Sequence, residues 1–526
     1  MRRLVGGNVM QELDRKAQTE IGFPGIVLME QAAQAAAAVL RGRYPSAAHY
    51  RILCGTGNNG GDGMALARIL FAEGADVEVL IAGDPARFSG QMQTQYQIAS
   101  AIGVRCAFFE EEDPAEKMQA CFARLEETGN GLIVDALFGV GLSRPVGGNY
   151  QKIIDALADR NGRIPVVALD VPSGISSDDG KIMGTAVRAD LTITFGWEKM
   201  GLYLYPGRAY AGEVVLKRIG FPEKLLVPEM ASGMIYEPSD VETLLPARKP
   251  DSNKGDYGKI LIIAGSEQMP GAAFLSAYAA YRSGAGLVRL VSPEKNRNVL
   301  MSLLPEAVFS LYPDAEDALT EDTAEQIRTF IRDAADVVVF GPGVGLSGRA
   351  HAMLSAVLQA ASANRKPLII DADGIRLLRD LLDAGMLKVE DLPEGMILTP
   401  HKKELSVILQ TTLGEVLADF PAAVHRFREC FPQVILAAKD AATIVDVPQE
   451  PWLINTSGND GMSVGGSGDV LTGLIAGLIG QGLAPGEACR LGVYLHGLSG
   501  DAAARLHGKR GMIARDLADG IAEVLR

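Results

Sequence analysis

Two consecutive α/β domains, each built on a largely parallel sheet, are what the sequence predicts, on three observations. The chain has 526 residues, whereas a single hydrophobic core stops growing beyond roughly 250 to 300 residues. Its apolar segments are short and continuous rather than alternating, the pattern of strands covered on both faces. Its 60 glycines sit mainly in short loops that follow those segments, where a strand would turn into a helix.

The first half offers strands at 51–54, 77–82, 131–134, 165–169, 191–195 and 213–217, separated by helical stretches. A helix over 64–71 follows the first of them. Between residues 221 and 249 the period is lost and Pro222, Pro228, Pro238 and Pro246 intervene, so the linker is expected near residue 225, with domains 1–225 and 226–526. Strands resume at 259–264, 287–291, 336–340, 367–370, 395–398 and 434–438. The most apolar late stretch, 470–480, is well short of the roughly 20 residues a bilayer requires; it reads as a buried helix. No short-period repeat or low-complexity segment interrupts this order.

Composition narrows the function. Hydrophobic residues make up 48% and aromatic residues 6% of a chain with formal charge -14. Disorder is not expected, and a nucleic-acid partner is excluded because phosphate binding needs a basic face. A small-molecule substrate fits this balance, with no membrane partner. Cys54, Cys106, Cys121, Cys430 and Cys489 are odd in number and form no CxxC pair, so reduced thiols and a cytoplasmic setting are expected. After Met1-Arg2-Arg3 the chain carries Glu12, Asp14, Arg15, Lys16 and Glu20 where a signal peptide would be apolar, so no export is expected.

The strand at 51–54 runs into Gly55, Thr56, Gly57, Asn58, Asn59, Gly60, Gly61, Asp62 and Gly63. A glycine-rich turn at a helix start lets backbone amides approach a phosphate or pyrophosphate. A tight turn without a ligand would explain the glycines alone; Asn58, Asn59 and Asp62 exceed what such a turn needs. Two further strands end alike, one at Asp135 before the loop 136–145 and one at Asp170 before Val171-Pro172-Ser173-Gly174. Either aspartate alone reads as a cap or turn former. In a parallel sheet, however, C-terminal strand ends share an edge, so Asn59, Asp135 and Ser173 could converge as oxygen ligands of a hard cation.

Taken with Gly-Phe-Pro-Gly-Ile-Val-Leu-Met-Glu at 22–30, these segments resemble the NAD(P)H-hydrate epimerase family over about residues 8–220. The resemblance implies a Rossmann-like three-layer fold, and potassium held by Asn59, Asp135 and Ser173. It further implies a hydrated dinucleotide, NADHX or NADPHX, bound by Asn58, Asn59, Gly60, Gly61 and Asp62, by Gly139, Val140, Gly141, Leu142, Ser143, Arg144 and Pro145, and by Asp170. Asp170 is the residue chosen for acid/base work, since epimerisation at the hydrated carbon requires proton transfer beside the ring nitrogen. One departure is Gln31, where the family commonly has Asn after Glu30.

In the second half the strongest motif is Asn459, Asp460, Gly461, Met462, Ser463, Val464, Gly465, Gly466, Ser467, Gly468 and Asp469. The glycines open a helix whose amides can stabilise an anion, and Asp469 stands where it could take a proton from a hydroxyl. A structural loop before the buried helix is the bland alternative. No Walker A pattern is present. Other strand ends supply 265–274, Gly341-Pro342-Gly343-Val344-Gly345, Asp371-Ala372-Asp373-Gly374, Thr399-Pro400-His401 with Glu404, and Lys439-Asp440 with Thr443. A lone histidine is more often structural, yet the loop position of His401 brings it toward substrate.

In order, and with Lys-Gly-Asp-Tyr-Gly at 254–258, these pieces resemble the NAD(P)H-hydrate dehydratase family, a ribokinase-like branch, over about residues 229–524. The resemblance implies a ribokinase-like three-layer domain, with substrate contacts at Ala272, Gly343, His401 and Asp469. Nucleotide contacts fall at Lys439, Asp440, Ala441, Ala442 and Thr443 and at 459–468. The family's Lys-Gly is Lys439-Asp440 here, which adds a negative charge where a nucleotide should sit. Asp469 would be the base, magnesium would neutralise the phosphates, and the epimerase-first fusion, the prokaryotic arrangement, points to ADP. Family analogy suggests a homo-oligomer. The competing readings are a vitamin or sugar-alcohol kinase, which would need no attached epimerase, and a scaffold that lost its chemistry, against which Asp170 and Asp469 speak.

Overall fold

The computed structural model describes residues 1–109, 113–158, 162, 164–313 and 318–526. Contacts divide the chain into two compact units, one of Arg3–Met234 and one of Ile235–Arg526 with Met1–Arg2. Phe221 and Leu226 are buried with Val5, Met10, Leu13 and Trp197 in a core of the first unit, and Met230 packs against it. The early part of the proline-rich segment therefore belongs to that unit.

The first unit holds a seven-stranded sheet in the order Arg105–Phe108, Asp76–Ile81, His49–Cys54, Gly131–Ala136, Val166–Leu169, Leu191–Phe195, Glu213–Lys217, and every pairing is parallel. Alternate residues of the same strands enter different cores. Ile52, Val79, Val134 and Val167 join the alanine-rich helix Gly25–Arg43 and the helix Asn58–Ala72, while Leu53, Leu80, Ile133 and Val166 join Pro114–Thr128 and Gly148–Ala158. Burial on both faces is why the strands read as unbroken apolar runs. The sheet reverses its winding between His49–Cys54 and Gly131–Ala136, and such a switch point opens a crevice at the strands' C-terminal ends. A short strand, Glu198–Lys199, lies outside this sheet, in parallel register with Leu4 and Val5.

The second unit repeats the plan. Its strands run in the order Val308–Tyr312, Leu287–Pro293, Lys259–Ile263, Val337–Phe340, Leu368–Ile370, Ile397–Leu398, Ile435–Ala438, Ile444–Asp446, Trp452–Ile454. Pairing is parallel up to Ile435–Ala438 and antiparallel across the last two strands. The 470–480 stretch lies in helix Ser467–Gly480, whose residues from Val470 to Ile479 are all buried, as their uniform apolarity predicts. No helix among the described residues is long and apolar enough to cross a membrane, and all five cysteines are unbridged.

Candidate functional sites

In the first unit the switch-point crevice deepens into a cavity of about 580 Å³. Asn58, Asn59, Asp62, Gly139, Val140, Gly141, Leu142 and Asp170 line it, whereas Gly60 and Gly61 are buried in the first turn of helix Asn58–Ala72. Ser143, Arg144 and Pro145 are exposed and stand outside the lining.

Asn59 and Ser173 meet at one carbonyl, and Asp135 joins them through Ser173. Asn59 Nδ2 donates to Phe138 O at 2.9 Å, and Ser173 Oγ lies 3.3 Å from the same oxygen. Asp135, fully buried, accepts from Ser173 Oγ at 2.6 Å and from Ser173 N at 2.8 Å. Burial pushes its carboxyl up to about 6, against those hydrogen bonds. Asn59 Oδ1 is buried and receives no hydrogen bond. An orphaned acceptor beside a carbonyl, a hydroxyl and one carboxylate is a donor set a hard monovalent cation fits.

Asp170 ends strand Val166–Leu169 in the left-handed region, φ 67°, a conformation that costs a non-glycine residue and persists where surroundings impose it. Its carboxylate is ion-paired with Lys199. Lys199 is 1% exposed, and its ammonium also donates to Thr194 Oγ1 at 3.1 Å and Phe195 O at 2.7 Å. Asp62 and Asp14 face the same cavity. Burial raises both carboxyls, with the Asp170 charge adding to each. Gly139 keeps this approach open: a Cβ there would lie 3.1 Å from Asp170 Oδ2 and 3.3 Å from Asn59 Cβ, so those side chains would have to give by a few tenths of an ångström.

Lys199 and Asp14 escaped sequence reasoning. Lys199 follows an apolar strand inside Phe195-Gly196-Trp197-Glu198, where a buried lysine is the one available signal. Asp14 lies on the solvent-patterned helix Gly7–Lys16, and nothing local marks it.

In the second unit the predicted segments meet around Lys439. Its ammonium donates to Asp371 Oδ1 at 2.8 Å, and a Cβ on Gly468 would come within 3.1 Å of it. Gly466, at φ 90°, caps helix Ser467–Gly480 in the left-handed conformation, leaving the first-turn amides open to an anion. Asp469 follows in that turn; burial pushes its carboxyl up to about 7, with Asp371, Asp373 and Glu404 adding to the effect and Lys439 opposing it. Glu404 is likewise raised to about 7 by burial.

Gly343, φ 64°, and Ala272 approach so closely that a Cβ on the glycine would lie 2.9 Å from Ala272 Cβ, and Asp373 Oδ2 fixes the same loop by accepting Gly345 N at 2.9 Å. His401 has a structural duty: its Nδ1 accepts Glu404 N at 3.2 Å while Glu404 Oε2 accepts His401 N at 2.9 Å, a capping box. It still neighbours the cluster, since its backbone pairs with Lys439. Asp440, the departure from Lys-Gly, forms an ion pair with Lys402 at 2.8 Å, so its charge is balanced within the protein. Thr443 Oγ1 closes the 439–443 turn on Asp440 O at 3.1 Å; Ala442 is buried and Ala441 exposed. Asn459 and Asp460 are engaged by Asp501 and Lys509, at 2.8 and 2.6 Å. Gly461 is buried, Ser463 and Gly465 are exposed, and Met462, Val464 and Ser467 are half-buried. His496 was not anticipated; its Nε2 lies 3.5 Å from Ser467 Oγ, and burial lowers it to about 4, so it is neutral.

Comparison with known proteins places two family models on the chain, the YjeF-related protein N-terminus on residues 25–201 and NAD(P)H-hydrate dehydratase on residues 260–523. The chain is 36% identical to the bifunctional NAD(P)H-hydrate repair enzyme Nnr of Thermofilum pendens, covering 98% of this chain and 94% of that protein. It is 35% identical to the Moorella thermoacetica enzyme of the same name, covering 99% and 96%. Among solved structures it is similar to the ADP/ATP-dependent NAD(P)H-hydrate dehydratase of Bacillus subtilis co-crystallized with ATP/Mg2+, at 24% identity and TM-score 0.45, over 55% of this chain and 96% of that one.

Proposed function

The chain belongs to the bifunctional NAD(P)H-hydrate repair enzyme family, and from that premise we propose that its first unit epimerises the R and S hydrates of NADH and NADPH. The second unit dehydrates the S form to the intact cofactor, using ADP. The observation that carries the reading is the pair of strand-end sites, with Asp170 and Asp469 each beside a glycine-rich helix opening.

For epimerisation, the crevice at the sheet's switch point takes the dinucleotide, with its pyrophosphate on the amides that open helix Asn58–Ala72. Asp170 works at the hydrated carbon. It relays a proton from its ion-pair partner Lys199 to the C6 hydroxyl as the C6–O bond breaks and water departs, leaving the ring as an iminium. It then takes a proton from the water that adds to the opposite face. Lys199 holds that carboxylate in one orientation through their ion pair. The niche of Asn59, Phe138 O, Asp135 and Ser173 is the proposed potassium site, and the ion would supply fixed positive charge near the dinucleotide.

For dehydration, Asp469 removes the C6 hydroxyl proton as the oxygen attacks the terminal phosphorus of ADP and AMP leaves. The phosphate ester then departs as C6–O breaks, pushed by the N1 lone pair, and loss of a C5 proton restores the dihydropyridine. Lys439 and the amides after Gly466 receive the phosphate charge. Carboxylates outnumber that lysine in the cluster, so the nucleotide's phosphates suit this site accompanied by magnesium, which would neutralise them.

The test separates the two steps. Pure R hydrate with ADP and magnesium is expected to regain dihydropyridine absorbance with the parent protein. Asp170→Asn is expected to slow that recovery by about 100-fold or more while pure S hydrate is still repaired; Asp469→Asn is expected to repair neither while R and S still interconvert. Parental repair of R hydrate by Asp170→Asn would remove the assignment.

A further inference from the structure

Asp371 has no part in the chemistry just described, yet three elements of the dehydratase site meet on it. It follows strand Leu368–Ile370, is 1% exposed, and its two oxygens face different partners. Oδ1 accepts from Lys439 Nζ at 2.8 Å, and Oδ2 accepts from Thr472 Oγ1 at 2.9 Å. Thr472 lies one turn into the helix that carries Asp469 and also bonds Gly468 O at 3.0 Å. The next residue, Ala372, is held at φ 52°, a positive φ that a non-glycine residue keeps only where surroundings fix it.

We propose that Asp371 is a positioning residue of the dehydration reaction, tying the Lys439 ammonium and the Asp469-bearing helix to one strand end so that both address the same substrate hydroxyl. A lysine free to move in so enclosed a place would sample other carboxylates. Joined to Asp371 it stays at the helix mouth, where the transferred phosphoryl group gathers charge. Asp371 also acts through space. The charged groups facing Asp469 are Asp371, Asp373 and Glu404, which disfavour its ionisation, and Lys439, which favours it. Removing the Asp371 charge takes away a repulsion and leaves Lys439 unbalanced, so both changes ease ionisation of Asp469.

The inference rests on Asp469 being the base. Full-length Asp371→Asn and Thr472→Val are compared with the parent on S hydrate, by kcat and KM against pH and by calorimetric binding of ADP with magnesium. In Asp371→Asn the rising limb of kcat is expected to move to lower pH by about one unit, with the plateau reduced about tenfold or more because the base is weaker and the lysine unanchored. ADP affinity stays within about threefold, showing that the site is folded. Thr472→Val keeps the charge and loses one tether, so its pH limb stays in place and kcat falls about fivefold, the worth of one hydrogen bond. A parental pH limb in Asp371→Asn, or ADP binding lost in step with turnover, would overturn the role. Should Asp371→Asn not fold, parental kcat in Thr472→Val would overturn it instead. Turnover surviving in Asp469→Asn would remove the base assignment itself, a separate result.

Discussion

At the scale of single residues, the second unit's site places a carboxylate where burial and neighbours decide its protonation. Asp469, pushed up to about 7 from an ordinary value of 3.8, illustrates the sign. A base must be ionised, and a raised value means that ionisation is complete only above neutrality. Dehydratase turnover on S hydrate is therefore expected to rise through about pH 7 and to fall about tenfold per unit below it, read from kcat across a pH series. Gly139 supplies a steric counterpart in the first unit. Alanine there would set a Cβ 3.1 Å from Asp170 Oδ2, and displacement of that oxygen is expected to cost epimerisation about tenfold or more. Dehydration of S hydrate by the same variant should equal the parent's.

At the scale of elements, the opening of a helix carries each proposed anion cradle, and the residue before it sets the approach. Gly466 combines φ 90° with a Cβ position 2.4 Å from Leu275 Cδ1 and 3.1 Å from Ala514 Cβ, so alanine is opposed by both backbone and packing. Gly466→Ala is expected to destabilise the second unit by about 2 kcal/mol and to weaken ADP binding, measured by denaturant titration and calorimetry. The first unit's epimerase rate, read on the same sample, should not move. The strand Glu198–Lys199 matters in the same way: pairing with Leu4 and Val5 delivers Lys199 to Asp170 from outside the main sheet.

At the scale of the whole molecule, two α/β units whose parallel strands wind alike carry different chemistry because the residues at their strand ends differ. If the proposed niche holds potassium, its exchange for a large organic cation is expected to depress R-to-S conversion while leaving nucleotide-dependent repair of S hydrate at its parental rate, since the niche around Asn59 Oδ1 lies in the first unit alone. Equal loss of both rates would contradict that placement.

Sequence alone determined the α/β class and most of the interior strands, because a strand buried on both faces must be apolar throughout. It did not reveal the edge strands Arg105–Phe108 and Val308–Tyr312, which are only partly buried, nor Ile444–Asp446 and Trp452–Ile454, which are three residues long; less burial or less length leaves a weaker pattern. It also marked the glycine turns and the aspartates after strands, since backbone approach and strand-end polarity leave local traces. Only tertiary structure decided that Lys199 reaches Asp170, 29 residues away, that Lys402 balances Asp440, and that Asp371 joins Lys439 to Thr472. Partnerships between buried charges depend on how distant segments are brought together, and the chain near each partner carries no periodicity that records the other.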